Sequence, residues 1–174
     1  AYISGGTFGA SFVVGVRAEG GVTTISGGDF TGTFYALSAV AGAQSVLNIF
    51  GGSFSPYIDI RTGNELHIFG TEFLLDGVPI EGLEYGEAFE ITGRDVALTG
   101  TLADGSPLSF DLNTVSAPRQ DHVSDTALLT VTLILPGDYN DDGAVDAADY
   151  VVWRDKVGSD AAMANDITPW EVGP

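Results

Sequence analysis

The sequence predicts an all-β fold, a right-handed parallel β-helix capped by a small antiparallel sheet and followed by a short loop and helix. Three observations carry that prediction. Glycine is abundant, at 24 of 174 residues, as turn-rich β architectures require. A six-residue pattern returns through the first half of the chain. An Asp/Asn/Gly-rich stretch near the carboxyl end runs straight into a segment with helical patterning.

The repeat opens the chain. Ile3-Ser4-Gly5-Gly6-Thr7-Phe8 returns as Ile25-Ser26-Gly27-Gly28-Asp29-Phe30 and as Ile49-Phe50-Gly51-Gly52-Ser53-Phe54, then decays into Ile68-Phe69-Gly70-Thr71-Glu72-Phe73. The spacings are 22, 24 and 19 residues, and a short β-forming lead precedes three of the four copies. One copy cannot bury its own Ile and Phe; stacked coils bury both in columns and pair each strand with the next coil. Glycine at the corner permits positive φ and close approach of neighbouring backbones. Antiparallel hairpins sharing a Gly-Gly turn would match the composition, but the full six-residue match at coil length favours the stack. Residues 1–84 are therefore read as coils.

Residues 85–135 follow another pattern. Asp76-Gly77 and Pro79 break the repeat. Segments 88–92, 96–102 and 108–112 then alternate as strands, the last two around the turn Ala103-Asp104-Gly105-Ser106. With 128–135 as a further strand, the region is expected to form an antiparallel sheet covering the open end of the coils, where exposed edges would invite aggregation. Residues 113–124 are polar without clear periodicity and are expected to be a surface loop.

The stretch after Pro136 carries the chemistry. Counted as a calcium loop, Asp138 stands at position 1, Asn140 at 3 and Asp142 at 5. Gly143 takes the sharp turn at 6, Ala144 offers its carbonyl at 7, Asp146 acts at 9 directly or through water, and Asp149 closes the loop at 12. Calcium takes six to eight hard oxygen ligands, and this spacing can converge them on one point. Val145 at position 8 is expected to anchor the loop to the core. Tyr150 to Lys156 then reads as an amphipathic helix that Gly158 ends. An Asp/Asn/Gly-rich turn that binds nothing would share the composition, but not five oxygen-bearing side chains in register.

With Asp rather than Glu at position 12, Gly137 to Asp149 resembles the first repeat of a type I dockerin, and Ala148-Asp149-Tyr150-Val151-Val152-Trp153-Arg154-Asp155 resembles the dockerin-like tails of secreted bacterial β-rich proteins. The resemblance covers residues 136–174. Dockerins carry two such repeats and bind cohesin modules through both helices. Here the second copy, from Asn165, places Ile167 and Pro169 at positions 3 and 5, so one calcium site is expected and the second repeat is degenerate or truncated. The resemblance implies bound Ca2+, an extracellular or cell-surface location, and a cohesin-like or cell-surface partner. The chain also opens in mid-pattern, from which upstream sequence is expected.

Charge narrows the function. Six Lys+Arg stand against 24 Asp+Glu, a net charge of −18, so the basic stripe that neutralises phosphates is missing and nucleic-acid binding is excluded. An anionic membrane surface would repel the chain. The longest apolar run, Ala127 to Leu135, is far short of the ~20 residues that span a bilayer. With no cysteine, disulfides and thiolate chemistry are absent.

Parallel β-helices include enzymes that cleave polysaccharides, for which Asp59, Arg61, Glu65 and His67 are the candidate residues. A solvated face with incidental ion pairs explains them more simply. No catalytic and no organic cofactor-binding residue is therefore assigned. The expected function is a non-catalytic structural, adhesive or attachment protein, with homo-oligomerisation or fibre formation through stacked ends as a further expectation. The alternative is the C-terminal part of a secreted carbohydrate-active enzyme held by its dockerin-like module.

Overall fold

The computed structural model describes residues 1–8, 14–31, 35–55, 57–117, 120–140 and 142–156. Among the described residues the protein is mostly β-strand, arranged in two sheets with extensive parallel pairing, with one short helix.

The repeat copies lie side by side. Strands β1 (Tyr2–Ile3) and β2 (Thr7–Phe8) pair in parallel with β4 (Gly21–Thr31), which pairs in parallel with β6 (Ser45–Ser55), which pairs in parallel with β8 (Glu65–Leu75). The register matches Ile3 to Ile25, Ile25 to Ile49 and Ile49 to Ile68, so each Ile stands beside its counterpart. Ile25, Ile49, Ile68, Leu47 and Leu66 are fully buried. Burying each such side chain contributes roughly 1.5–3 kcal/mol. The Phe residues form a second column. Phe8 and Phe30 stack with centroids 5.1 Å apart, Phe30 and Phe54 at 5.0 Å, and Phe110 ends the column edge-on at 5.8 Å from Phe54.

The segments between copies form the second sheet. Strands β3 (Val14–Ala18), β5 (Tyr35–Ala39) and β7 (Ile58–Ile60) pair in parallel, and β13 (His122–Val123) adds to β7, also in parallel. Ala18, Ala39, Ile60 and Val123 occupy one in-register row and join the hydrophobic cluster that the larger sheet feeds.

Buried polar groups close the corners. Asn64, 1% exposed, donates from Nδ2 to the carbonyls of Val40 (2.9 Å) and Arg61 (2.7 Å), and its Oδ1 accepts the Ser45 N–H at 2.9 Å. Ser45 Oγ in turn accepts the Gly20 N–H at 2.9 Å. The Asp121 carboxylate accepts the N–H groups of Ile58 (2.7 Å) and Asp111 (2.9 Å), joining the smaller sheet to the following hairpin. Burial pushes its pKa above the ordinary carboxylate value, against the pull of those two donors.

The remaining strands differ in part from the sequence-based expectation. Short β9 (Val78–Pro79) folds back on β8, and β11 (Ala97–Leu102) with β12 (Pro107–Asp111) forms the expected hairpin, with Gly105 at φ +86°. β11 pairs antiparallel with the second half of β8. However, β14 (Leu128–Leu133), expected in the antiparallel cap, runs parallel to β8, matching Ile68 to Val131, and only its other edge takes an antiparallel strand, β10 (Ala88–Glu90). The segment expected as a surface loop also departs, because residues 121–124 are buried through β13. A two-residue strand whose partner is 63 residues away leaves no periodicity to read.

The corners set a steric limit. A Cβ on Gly52, at φ +109°, would lie 3.0 Å from the Gly28 carbonyl oxygen and 3.1 Å from the Phe30 ring, whereas one on Gly63, at φ +80°, would meet open space. Both substitutions strain the backbone, by roughly 1–3 kcal/mol. Gly52→Ala is therefore expected to destabilise the protein by at least about 1 kcal/mol more than Gly63→Ala. Equal urea midpoints for the two variants would show that the corners have room to spare.

Candidate metal centre

Residues 136–149 leave β14 and enter α1 (Ala147–Lys156) through a loop knitted by its own carboxylates. Asp138 is 2% exposed; its Oδ1 accepts the Asp142 N–H at 3.1 Å and its Oδ2 the Gly143 N–H at 2.9 Å. Asn140 Oδ1 also accepts the Asp142 N–H, and Asn140 Nδ2 donates to Asp142 Oδ2 at 2.7 Å. Asp142 Oδ1 accepts the Ala144 N–H at 3.1 Å. Gly143 turns at φ +85°, a conformation that suits the residue at loop position 6.

Asp146 and Asp149 start the helix. Asp146 Oδ1 accepts the Ala148 N–H at 2.6 Å, an N-cap bond. Three residues on, Asp149 Oδ2 accepts the Asp146 N–H at 2.7 Å, which completes a reciprocal capping box with Asp in the usual Glu position. Asp149 Oδ1 reaches across the loop to the N–H groups of Tyr139 (2.7 Å) and Asn140 (3.2 Å). The bond from Asp146 is foremost in holding the Asp149 carboxyl below the ordinary carboxylate range, against its burial, with Asn140 and Tyr139 adding to the effect. Arg154 and Lys156 in the last turn oppose the helix dipole.

The structure thus brings Asp138, Asn140, Asp142, Asp146 and Asp149 into one hydrogen-bonded loop, with Ala144 tied in through its N–H. Among the described residues no cluster of three or more His/Cys/Asp/Glu is gathered as a metal cage; the carboxylates face loop N–H groups instead. The donor set is nonetheless all oxygen, and a carboxylate oxygen that accepts one N–H keeps a further lone pair. That chemistry fits a hard divalent cation.

Val145 does not reach the core. It is 56% exposed and packs over Gly137, where an added Cβ would lie 3.3 Å from its Cγ1. The helix begins three residues earlier than its apolar pattern suggests, because Asp146 caps it. Tyr150 and Trp153 are exposed, with ring centroids 5.7 Å apart, and Asp149 is the helix's buried residue. The expected stop at Gly158 and the second repeat from Asn165 lie outside the described residues.

The four residues weighed for catalysis are not brought together. Glu65 and His67 lie on β8, where His67 bonds Glu65 at 3.2 Å and Thr130 at 2.8 Å. Asp59 and Arg61 belong to the β7 segment of the other sheet, and Arg61 Nε bonds Asp59 Oδ2 at 2.8 Å. Asp59 Oδ1 is held by His122 Nδ1 at 2.8 Å, a partner the sequence gives little means of finding. No helix among the described residues is long and apolar enough to cross a membrane. No family model matches the chain, and searches of curated proteins and of solved structures likewise find no match.

Since three loop N–H groups converge on Asp149, Asp149→Ala is expected to loosen the loop and the helix while leaving the strands intact. The readout is Trp153 fluorescence and near-UV dichroism, against an unchanged far-UV β signal. A variant with native Trp153 signals would remove Asp149 from its organising role.

Proposed function

We propose that the protein is a non-catalytic extracellular structural or attachment module, in which a right-handed parallel β-solenoid carries one calcium-ordered, dockerin-like loop and helix. The solenoid reading rests on the in-register Ile and Phe columns and on the alternation of the repeat region between two sheets whose strands there pair in parallel. Such a stack is rigid along its axis, because every coil is held by strand pairing as well as by packing.

The metal reading rests on one observation above the others. Asp138 and Asp149, eleven residues apart in sequence, are both buried within the same loop and both bonded to its backbone, with Asn140 and Asp142 between them. Four carboxylates and an amide so placed leave a concentrated negative charge that a divalent cation would relieve. Modules of this kind outside cells bind calcium at 10⁻⁴–10⁻³ M, a level that favours an extracellular location. A cohesin-like or cell-surface partner would meet the exposed Tyr150, Val151 and Trp153 beside the loop.

Calorimetric titration with calcium, read together with thermal melting, tests the metal half. One site is expected, and at a hundredfold excess over Kd the ion should stabilise the module by about 2.7 kcal/mol. Asp138→Ala should abolish the heat. Absence of both binding heat and melting shift at millimolar calcium would reduce the loop to a self-bonded helix cap.

A further inference from the structure

The smaller sheet carries an unusual row on its outer face. Arg17, Ser38, Asp59 and His122 are successive register partners across β3, β5, β7 and β13, so their side chains leave the sheet on one side about 4.8 Å apart. Asp59 is 3% exposed, yet its charge is already answered, since Arg61 Nε and His122 Nδ1 each take one oxygen at 2.8 Å. An open cleft lies over the row, with Arg17, Tyr35, Ser38 and Arg61 around it and Val14 and Val40 as apolar walls.

What this cleft leaves unused is donors. Ser38 is 5% exposed and faces the cleft, and its hydroxyl has no hydrogen-bond partner among the described residues. No fully buried side-chain oxygen among the described residues lacks a partner, so this hydroxyl reaches solvent through the cleft and is open to a ligand or water atom. Arg61 Nη1 has no partner among the described residues, and Nη2 makes only a 3.4 Å contact with Ser116. Arg17 is held through Nε by Glu19, both of them solvent-exposed. Two of the six basic residues of a chain with net charge −18 thus flank one cleft.

We propose that this cleft binds a uronate, a sugar residue whose carboxylate lies between Arg17 and Arg61 and whose ring hydroxyls meet Ser38 and Tyr35. A planar carboxylate matches the free edges of a guanidinium fork. Val14 and Val40 would receive the C–H face of the ring. Both arginines already meet a carboxylate through Nε, so a neutral sugar would leave only their Nη edges unused, and a bare anion would leave the apolar walls and hydroxyls unused. The inference does not depend on the metal loop.

The test is calorimetry with an oligogalacturonate in calcium-free buffer at about 0.15 M salt, where a Debye length of about 8 Å screens the carboxylates elsewhere on the chain. Saturable binding is expected, with none for a neutral galactose oligomer of equal length. Arg17→Ala and Ser38→Ala should each weaken it about five- to tenfold without lowering the melting temperature, since Arg17 is exposed and Ser38→Ala removes only a hydroxyl that bonds no described residue. Arg61→Lys, which keeps the charge beside Asp59 but loses the fork, should weaken it similarly. No saturable binding, equal binding of the neutral oligomer, or undiminished binding by all three variants would overturn the proposal. Because calcium is absent, the result is read separately from that of the calcium titration.

Discussion

The closeness of neighbouring backbones at the Gly-Gly corners is the constraint from which the rest of the larger sheet follows. A Cβ on Gly27 would lie 3.0 Å from the Ser4 carbonyl oxygen, and one on Gly28 would lie 3.1 Å from that of Gly6. Gly28 and Gly52 adopt φ of +114° and +109°, outside the range that other residues hold comfortably. Only glycine allows successive copies to turn at the same level. Once they do, the Ile and Phe on either side of the corner must fall into columns. The fourth copy shows the converse. It has Thr71 in the second glycine position, and β8 leaves the ladder with β6 after Ile68. The hairpin turn fills the vacated level: Asp104 N–H donates to the Phe50 carbonyl at 3.1 Å, and its carboxylate accepts the Gly52 N–H at 2.9 Å while packing on Gly51. One aspartate therefore stands where the backbone of a further parallel strand would have been.

Tight corners also bury peptide groups, and the buried polar side chains sit where those groups need partners. Asn64 serves two turns at once, and Asp121 serves two elements that no backbone bond could reach together. No buried side-chain nitrogen or oxygen among the described residues is left unsatisfied. These residues act on specificity more than on net stability, since each bond contributes only about 1 kcal/mol but each unmade one costs more.

The repeat was legible because the pattern that builds it is local: a corner and two apolar residues within six positions. Its parallel pairing was legible for the same reason, since identical copies at coil length match each other in register. The partner of β14 was not. Alternation in Leu128–Leu133 fixes which residues face inward but says nothing about whether the neighbour runs parallel or antiparallel. His122 and Val123 are fewer residues than any period can show, and Asp121 resembles an exposed loop residue until its two distant N–H donors are in place. In the loop, the oxygen spacing was readable and the exposed position of Val145 was not, because an apolar residue in a loop carries no mark of what it packs against.

The same carboxylates that would meet a cation already shape the loop without one, and this sets the energetics of any binding there. A chain that must order its loop on binding loses affinity to conformational entropy. Here the capping box fixes the start of the helix, and Asp149 spans from Asp146 to Tyr139, so both ends of the loop are held before an ion arrives. The opposing cost is electrostatic. Asp138, Asp142, Asp146 and Asp149 gather like charge in one loop, and backbone N–H donors offset it most fully at Asp149. A hard divalent cation would act on that remaining charge rather than on the fold of the loop. Ion binding would then tighten an existing shape instead of creating one, leaving the strands of the main sheets indifferent to its presence.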